Sequence, residues 1–149
     1  MGYDNDLTRR RDPEELIQRF SAVKKRISGL LGQVFSSIEL GTMQAKLLQH
    51  IGRHSRLSQA ELARATESDP TLTSRTRQTL IERGLVRRER SDTDRREYVL
   101  ELAPAGRRVR EQVEKLRAEL VSRVVTALDD RDLDDFERIA AKILAATAG

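Results

Sequence analysis

Between Pro70 and Ile81 the chain places Thr71, Ser74, Arg75 and Gln78 at spacings of three and four residues, so one helical face would carry them all. These side-chain types pair with the edges of nucleic-acid bases. A guanidinium meets two acceptors of guanine, and a carboxamide meets the acceptor and donor of adenine. A hydroxyl bonds either base or touches a thymine methyl. An ordinary solvated face would normally include carboxylates, yet no Asp or Glu occurs between Pro70 and Ile81. The expectation is readout of double-stranded DNA. Thr73 and Arg77 complete the expected contact set, although both fall near the line of Leu80 that should face inward. From that line the long stem of Arg77 can extend its head to a phosphate.

A second concentration of chemistry lies just beyond. Arg83, Arg87, Arg88, Arg90, Arg95 and Arg96 are interleaved with Glu89, Asp92 and Asp94 around Ser91-Asp92-Thr93-Asp94, a turn sequence. Arginine at the tip of a two-stranded ribbon suits the narrow minor groove, whose negative potential attracts guanidinium. Arg88, Arg90, Asp94, Arg95 and Arg96 are therefore the expected contacts of this second element. Asp94 is expected to hold Arg96 in a bidentate pair. The plainer alternative is a hairpin with ordinary surface charges.

Other constellations point nowhere. His50 and His54 lie four apart on one helical face, but no Cys and no nearby carboxylate set completes a metal site. Asp129, Asp130, Asp132, Asp134 and Asp135 lack the glycine and terminal glutamate of a calcium loop, and they sit where a helix start favours acids. No nucleophile–base pair, phosphate loop or glycine-rich nucleotide turn is recognisable, so neither an enzyme nor a bound cofactor or metal is expected. The absence of Cys removes disulfide and thiol redox chemistry.

The elements that must position these residues can be read from periodicity. Asp12-Pro13-Glu14-Glu15 opens a helix over residues 13–37, with Leu16, Ile17, Phe20, Val23, Ile27, Leu30, Leu31 and Val34 in one apolar stripe. Thr42 is expected to cap a shorter helix carrying Met43, Leu47, Leu48 and Ile51, which Gly52 ends. Ser58-Gln59-Ala60-Glu61 forms a capping box before Leu62, so Ser58 and Gln59 should support the two short helices of the middle. Asp69-Pro70 starts the helix bearing the base-reading face, with Leu72, Thr76, Leu80 and Ile81 as its apolar positions and Gly84 as its left-handed end. Two short helices joined by a few polar residues make a helix-turn-helix. A hairpin over residues 85–102 comes next, with Val86, Tyr98, Leu100 and Leu102 alternating. Pro104 opens a long helix with Val109, Val113, Leu116, Leu120, Val124 and Leu128. A last helix, capped by Asp129 to Asp132, carries Leu133, Phe136, Ile139, Ala140, Ile143 and Leu144.

The expected fold is mainly α with a small β-hairpin wing, a winged helix-turn-helix plus a helical dimerisation region. Its 149 residues make a single domain, 1–149. Residues 41–103 would form the winged DNA-binding lobe, and residues 13–37 and 104–149 the dimerisation helices. At 38% hydrophobic and 3% aromatic residues the core of one copy is thin, and the end stripes can bury fully only against each other or a second chain. The net charge of +4 is uneven: residues 53–96 alone carry +4, whereas residues 128–149 carry −3. A basic middle suggests a polyanionic partner. No apolar run approaches the length of a membrane span, and the first residues hold no apolar core of a signal peptide.

Leu57-Ser58-Gln59-Ala60-Glu61-Leu62-Ala63, Leu80-Ile81-Glu82-Arg83-Gly84-Leu85-Val86 and the run from Asp94 to Gly106 resemble the MarR family of bacterial regulators. That family's wing pattern is Asp-x-Arg, three residues, Val, one residue, Leu-Thr, two residues, Gly. Asp94, Arg96, Leu102 and Gly106 match it, Leu100 stands for the Val, and Ala103 for the Thr. The resemblance implies a cytoplasmic protein of a bacterium or archaeon, nucleoid-associated when bound, that forms a homodimer on a pseudo-palindromic operator and usually represses. It also implies release by a small aromatic or phenolic effector, held where the first helix, the second helix and the long helix after the wing converge. On this chain Phe35, Met43, Lys46, Leu47 and His50 would line that pocket, with Lys46 or His50 meeting an aromatic carboxylate. Alternatively, Met43 and Leu47 are only core, Lys46 is solvated, and no effector exists. Absence of Cys sets aside the peroxide-sensing members, and absence of Trp the urate-responsive ones. The other reading is a winged-helix module that binds another protein rather than DNA, which would not need Arg75 and Gln78 on an acid-free face.

Overall fold

The computed structural model describes residues 12–66 and 69–149. Its elements are α1 (Pro13–Ser36), α2 (Thr42–Arg53), β1 (Leu57–Ser58), α3 (Gln59–Thr66), α4 (Pro70–Glu82), β2 (Val86–Arg90), β3 (Tyr98–Leu102), α5 (Pro104–Thr126) and α6 (Asp130–Thr147). The fold is mainly α with a small wing. The sheet holds one strand more than the hairpin, in the order β1-β3-β2, because Leu57 and Ser58 pair antiparallel with Leu100 and Val99.

Local signals fix the boundaries. The Asp12 carboxylate accepts from the Glu14 amide at 3.0 Å, and Asp69 accepts from Thr71 at 2.8 Å, each just before a proline at the first helical turn. Ser58 Oγ accepts from the Glu61 amide at 3.0 Å while Glu61 Oε2 accepts from the Ser58 amide at 3.2 Å, the expected capping box. Asp129 and Asp132 make the same reciprocal pair at 2.8 and 3.1 Å, so these acids serve as caps. Thr42 is not a cap. Gly41 occupies that position in extended backbone with no side-chain bond, and the helix runs one residue past Gly52, to Arg53.

Gly84 ends α4 at φ +72°, with the Leu85 amide donating to Leu80 O at 3.0 Å and the Gly84 amide to Ile81 O at 3.0 Å. That turn delivers Leu85 O against the start of α5, where it accepts from the Ala103 amide at 3.0 Å. Ala103 supplies no side-chain cap to α5. A Cβ on Gly106 would collide with Leu85 O, so only glycine lets helix and strand lead approach this closely. Gly106→Ala is therefore expected to destabilise the chain by about 1–3 kcal/mol, read as a lowered melting temperature.

The core gathers around α2. Leu47, Leu48, Ile51, Leu62, Leu80, Leu100 and Val113 are fully buried, drawn from α2, α3, α4, β3 and α5. α1 contributes one buried residue, Phe35 near its end, with Leu31 and Val34 packed partly buried against the core, and α6 contributes no buried residue. Leu16, Ile17, Phe20 and Val23 on α1, Val121, Val124, Val125 and Leu128 at the end of α5, and Phe136, Ile139, Ile143 and Leu144 on α6 remain exposed. No helix is long and apolar enough to cross a membrane among the described residues.

Candidate nucleic-acid interface

The phase of α4 is set by Leu80, which is wholly buried, and by Thr76 and Thr73 on the same side. Thr73 is only 3% exposed, so it faces the core and cannot reach a base. Counting back seven residues from Leu80 along a helix returns to the same face, which is why Thr73 turns inward. Leu72, an expected apolar core position, is instead exposed. Thr71, Ser74, Arg75 and Gln78 all remain on the open face. One acid adjoins them: Glu82 Oε1 accepts from Gln78 Nε2 at 3.3 Å, an exposed bond that a base edge can replace.

Arg77 sits between the two faces. It is half-buried, and its Nη2 donates to Ser74 Oγ at 3.2 Å. Its Nε is buried with no hydrogen-bond partner among the described residues. Burial first, and then the neighbouring Arg88 guanidinium, push its pKa below the ordinary arginine range. Two like charges facing each other without a carboxylate suit an anion that arrives from outside, such as a phosphate.

Arg88 belongs to the wing. The register pairs Val86 with Leu102, Arg88 with Leu100, and Arg90 with Tyr98, so Val86, Arg88 and Arg90 share one side of β2. The Arg88 guanidinium lies 4.2 Å from the Tyr98 ring centroid and that of Arg90 5.2 Å, so the ring holds both cations without neutralising them. Arg90 Nη1 also donates to Arg95 O at 2.7 Å, bracing the turn. Arg56 anchors the opposite side through Glu89 at 3.6 Å and Asp92 at 3.5 Å. The expected bidentate pair is absent. Asp94 Oδ1 instead accepts from the Arg96 backbone amide at 3.0 Å, and Arg96 Nε stands 3.6 Å away. Asp94 thus shapes the turn and leaves the Arg96 side chain 96% exposed. Among the described residues no carboxylate pairs with Arg75, Arg77, Arg88, Arg90 or Arg95.

The helix-turn-helix is held from behind. Lys46 Nζ donates to Thr66 O at 3.1 Å, tying α2 to the end of α3. Ser58 is buried in its capping box, and Gln59 Oε1 is buried with no hydrogen-bond partner among the described residues.

A separate cavity of about 300 Å³ opens where α1, α2 and α5 meet, with Leu31, Phe35, Lys46, His50, Arg53 and Arg117 on its wall. Phe35, Lys46 and His50 are the residues expected there. Leu47 is wholly buried and Met43 packs against the core, so neither lines it. Arg53, at the end of α2, and Arg117, on α5, are additions: the resemblance brings the long helix to this place, but spacing does not say which of its residues face the cavity. His50 is held below its ordinary pKa by burial, then by Arg53, Lys46 and His54, so at neutral pH the imidazole is uncharged and the cavity's charge comes from its other bases. No group of His, Cys, Asp or Glu able to hold a metal occurs among the described residues.

Residues 39–97 match the model of the MarR family. No curated protein matches the chain. Among solved structures, wild-type MarR from E. coli in its apo form is similar with a TM-score of 0.75 and 22% identity, covering 87% of this chain and 96% of that one. A mutant MarR from E. coli complexed with operator DNA gives 0.78 at 22% identity, covering 87% and 94%. A MarR-like transcription regulator from Bacillus cereus gives 0.83 at 16% identity, covering 91% and 97%. At these identities the likeness establishes the fold. The chain thus carries the MarR family's sequence pattern over residues 39–97 and is similar in fold to MarR-type regulators over most of its length.

Proposed function

We propose that the protein is a transcriptional repressor that binds double-stranded DNA sequence-specifically as a homodimer, in the cytoplasm of a bacterial or archaeal cell. The observation that carries this reading is the joint of α4 and the wing. An open face of Thr71, Ser74, Arg75 and Gln78 stands beside Arg77, Arg88 and Arg90, a cluster that no carboxylate among the described residues neutralises. Residues 41–103 form the DNA-binding lobe in this reading, with α4 in the major groove and Arg95 and Arg96 at the minor groove. Residues 13–37 and 104–149 form the dimer, whose two-fold axis matches a pseudo-palindromic operator. The operator complex of the E. coli relative supports the assignment.

Arg75→Ala and Arg96→Ala separate the two modes of contact. Arg75→Ala is expected to cost about 1–3 kcal/mol and to relax preference at one base position per half-site. Arg96→Ala should weaken all sequences alike and lower the salt slope by about one unit. Titration of labelled duplexes at several salt concentrations measures both. Equal weakening of every sequence by Arg75→Ala would make that side chain a phosphate contact.

The cavity between α1, α2 and α5 is the proposed effector site. Phe35 and Leu31 offer an apolar wall, Lys46, Arg53 and Arg117 the charge, and neutral His50 a hydrogen bond. An aromatic carboxylate fits this chemistry, and it releases DNA only by preferring the dimer geometry that does not bind. Some aromatic acid is expected to raise the melting temperature and weaken operator binding, with both effects reduced in His50→Ala. A broad panel that shifts neither would remove the pocket assignment and leave the DNA reading standing.

A further inference from the structure

Among the described residues the exposed large apolar side chains fall on α1, α5, α6 and the turn between the last two, with one exception. Leu72, on α4, is 48% exposed at the edge of the open face, one helical turn before Arg75 and far in sequence from every other exposed apolar residue. About half of its surface stays open among the described residues. It occupies the first turn of α4, two residues after Pro70, where the capping Asp69 fixes the backbone through the Thr71 amide. Its carbonyl accepts from Thr76 Oγ1 at 2.7 Å, and Thr76 is itself buried, so the backbone that aims Leu72 is held at both ends.

An exposed leucine on a polar, basic helix face loses solvation free energy that burial would recover. Resting on the DNA reading above, we propose that Leu72 is a specificity-determining residue that reads the methyl group of a thymine in the major groove. Major-groove edges present one apolar group, the thymine C5-methyl, and it distinguishes that base from cytosine where hydrogen bonding does not reach. Residues at the N-terminal end of a recognition helix are those that reach base edges. Leu72 and Arg75 are three residues apart, about 4.5 Å along the helix axis. Successive bases on one strand are about 3.4 Å apart. The thymine read by Leu72 therefore lies one or two base steps from the guanine paired with Arg75.

The test uses the full chain and a duplex selected from random DNA by binding. Each thymine of the selected half-site is replaced in turn by deoxyuridine, which keeps every hydrogen bond and removes only the methyl. Affinity is expected to fall about fourfold at one thymine per half-site and to stay unchanged at the rest. In Leu72→Ala that thymine and its uracil analogue should bind equally, while the preference assigned to Arg75 persists. Leu72 is exposed, so the variant should melt with the parent. Uniform tolerance of uracil by the parent chain, or undiminished discrimination by Leu72→Ala, would overturn the inference while sequence-specific binding stands. Failure to bind any duplex would overturn the DNA reading itself and this inference with it.

Discussion

Removing residues 133–149 is expected to leave a chain that is monomeric or aggregating and binds DNA poorly. Helix α6 has no buried residue, and Phe136 and Leu144 are 63% and 70% exposed. Burial of each large apolar side chain is worth about 1.5–3 kcal/mol. Phe136, Ile139, Ile143 and Leu144 on each of two copies, together with the exposed stripe of α1, can exceed an association cost of about 4–15 kcal/mol. Sedimentation of the truncated and full-length chains measures the assembly state, and duplex titration the affinity. A truncation that is folded, soluble and fully active would contradict the dimer.

Arg77→Ala combined with Arg88→Ala should remove sequence-independent affinity and lower the salt slope by about two units per protomer. The two guanidiniums repel each other in the free protein. Their separation from carboxylates makes them a standing site for a phosphate, and each neutralised phosphate releases counterions. Stability should not fall with affinity, because the double variant removes a repulsion and an unpartnered buried nitrogen. Variants that melt as the parent does and lose binding across all sequences at low salt are the expected result. An unchanged salt slope would place both side chains off the DNA.

Much of the fold is legible in the sequence, and the reason is local chemistry. Asp12, Ser58 with Glu61, Asp69, and Asp129 with Asp132 each bond to an amide within a few residues, so their roles come from spacing alone. Gly84 declares a left-handed backbone in the same way. Features that depend on distant partners are hidden. Strand β1 is two residues long, too short to show alternation, and exists because β3 offers an unpaired edge to Leu57 and Ser58. Thr73 and Leu72 exchange places because residue type favours leucine inside, whereas helix phase, anchored at Leu80, decides the matter. Arg117 reaches the cavity from α5, a placement made by packing and not by spacing.

Selection of bound duplexes from a random library, with the full-length protein near physiological salt, tests the central claim most directly. The account predicts enrichment of an inverted repeat whose half-sites are centred about 10–10.5 base pairs, or a multiple of that, apart. Its affinity should fall steeply as salt rises. No enriched sequence, or a single unrepeated site bound by a monomer, would contradict it.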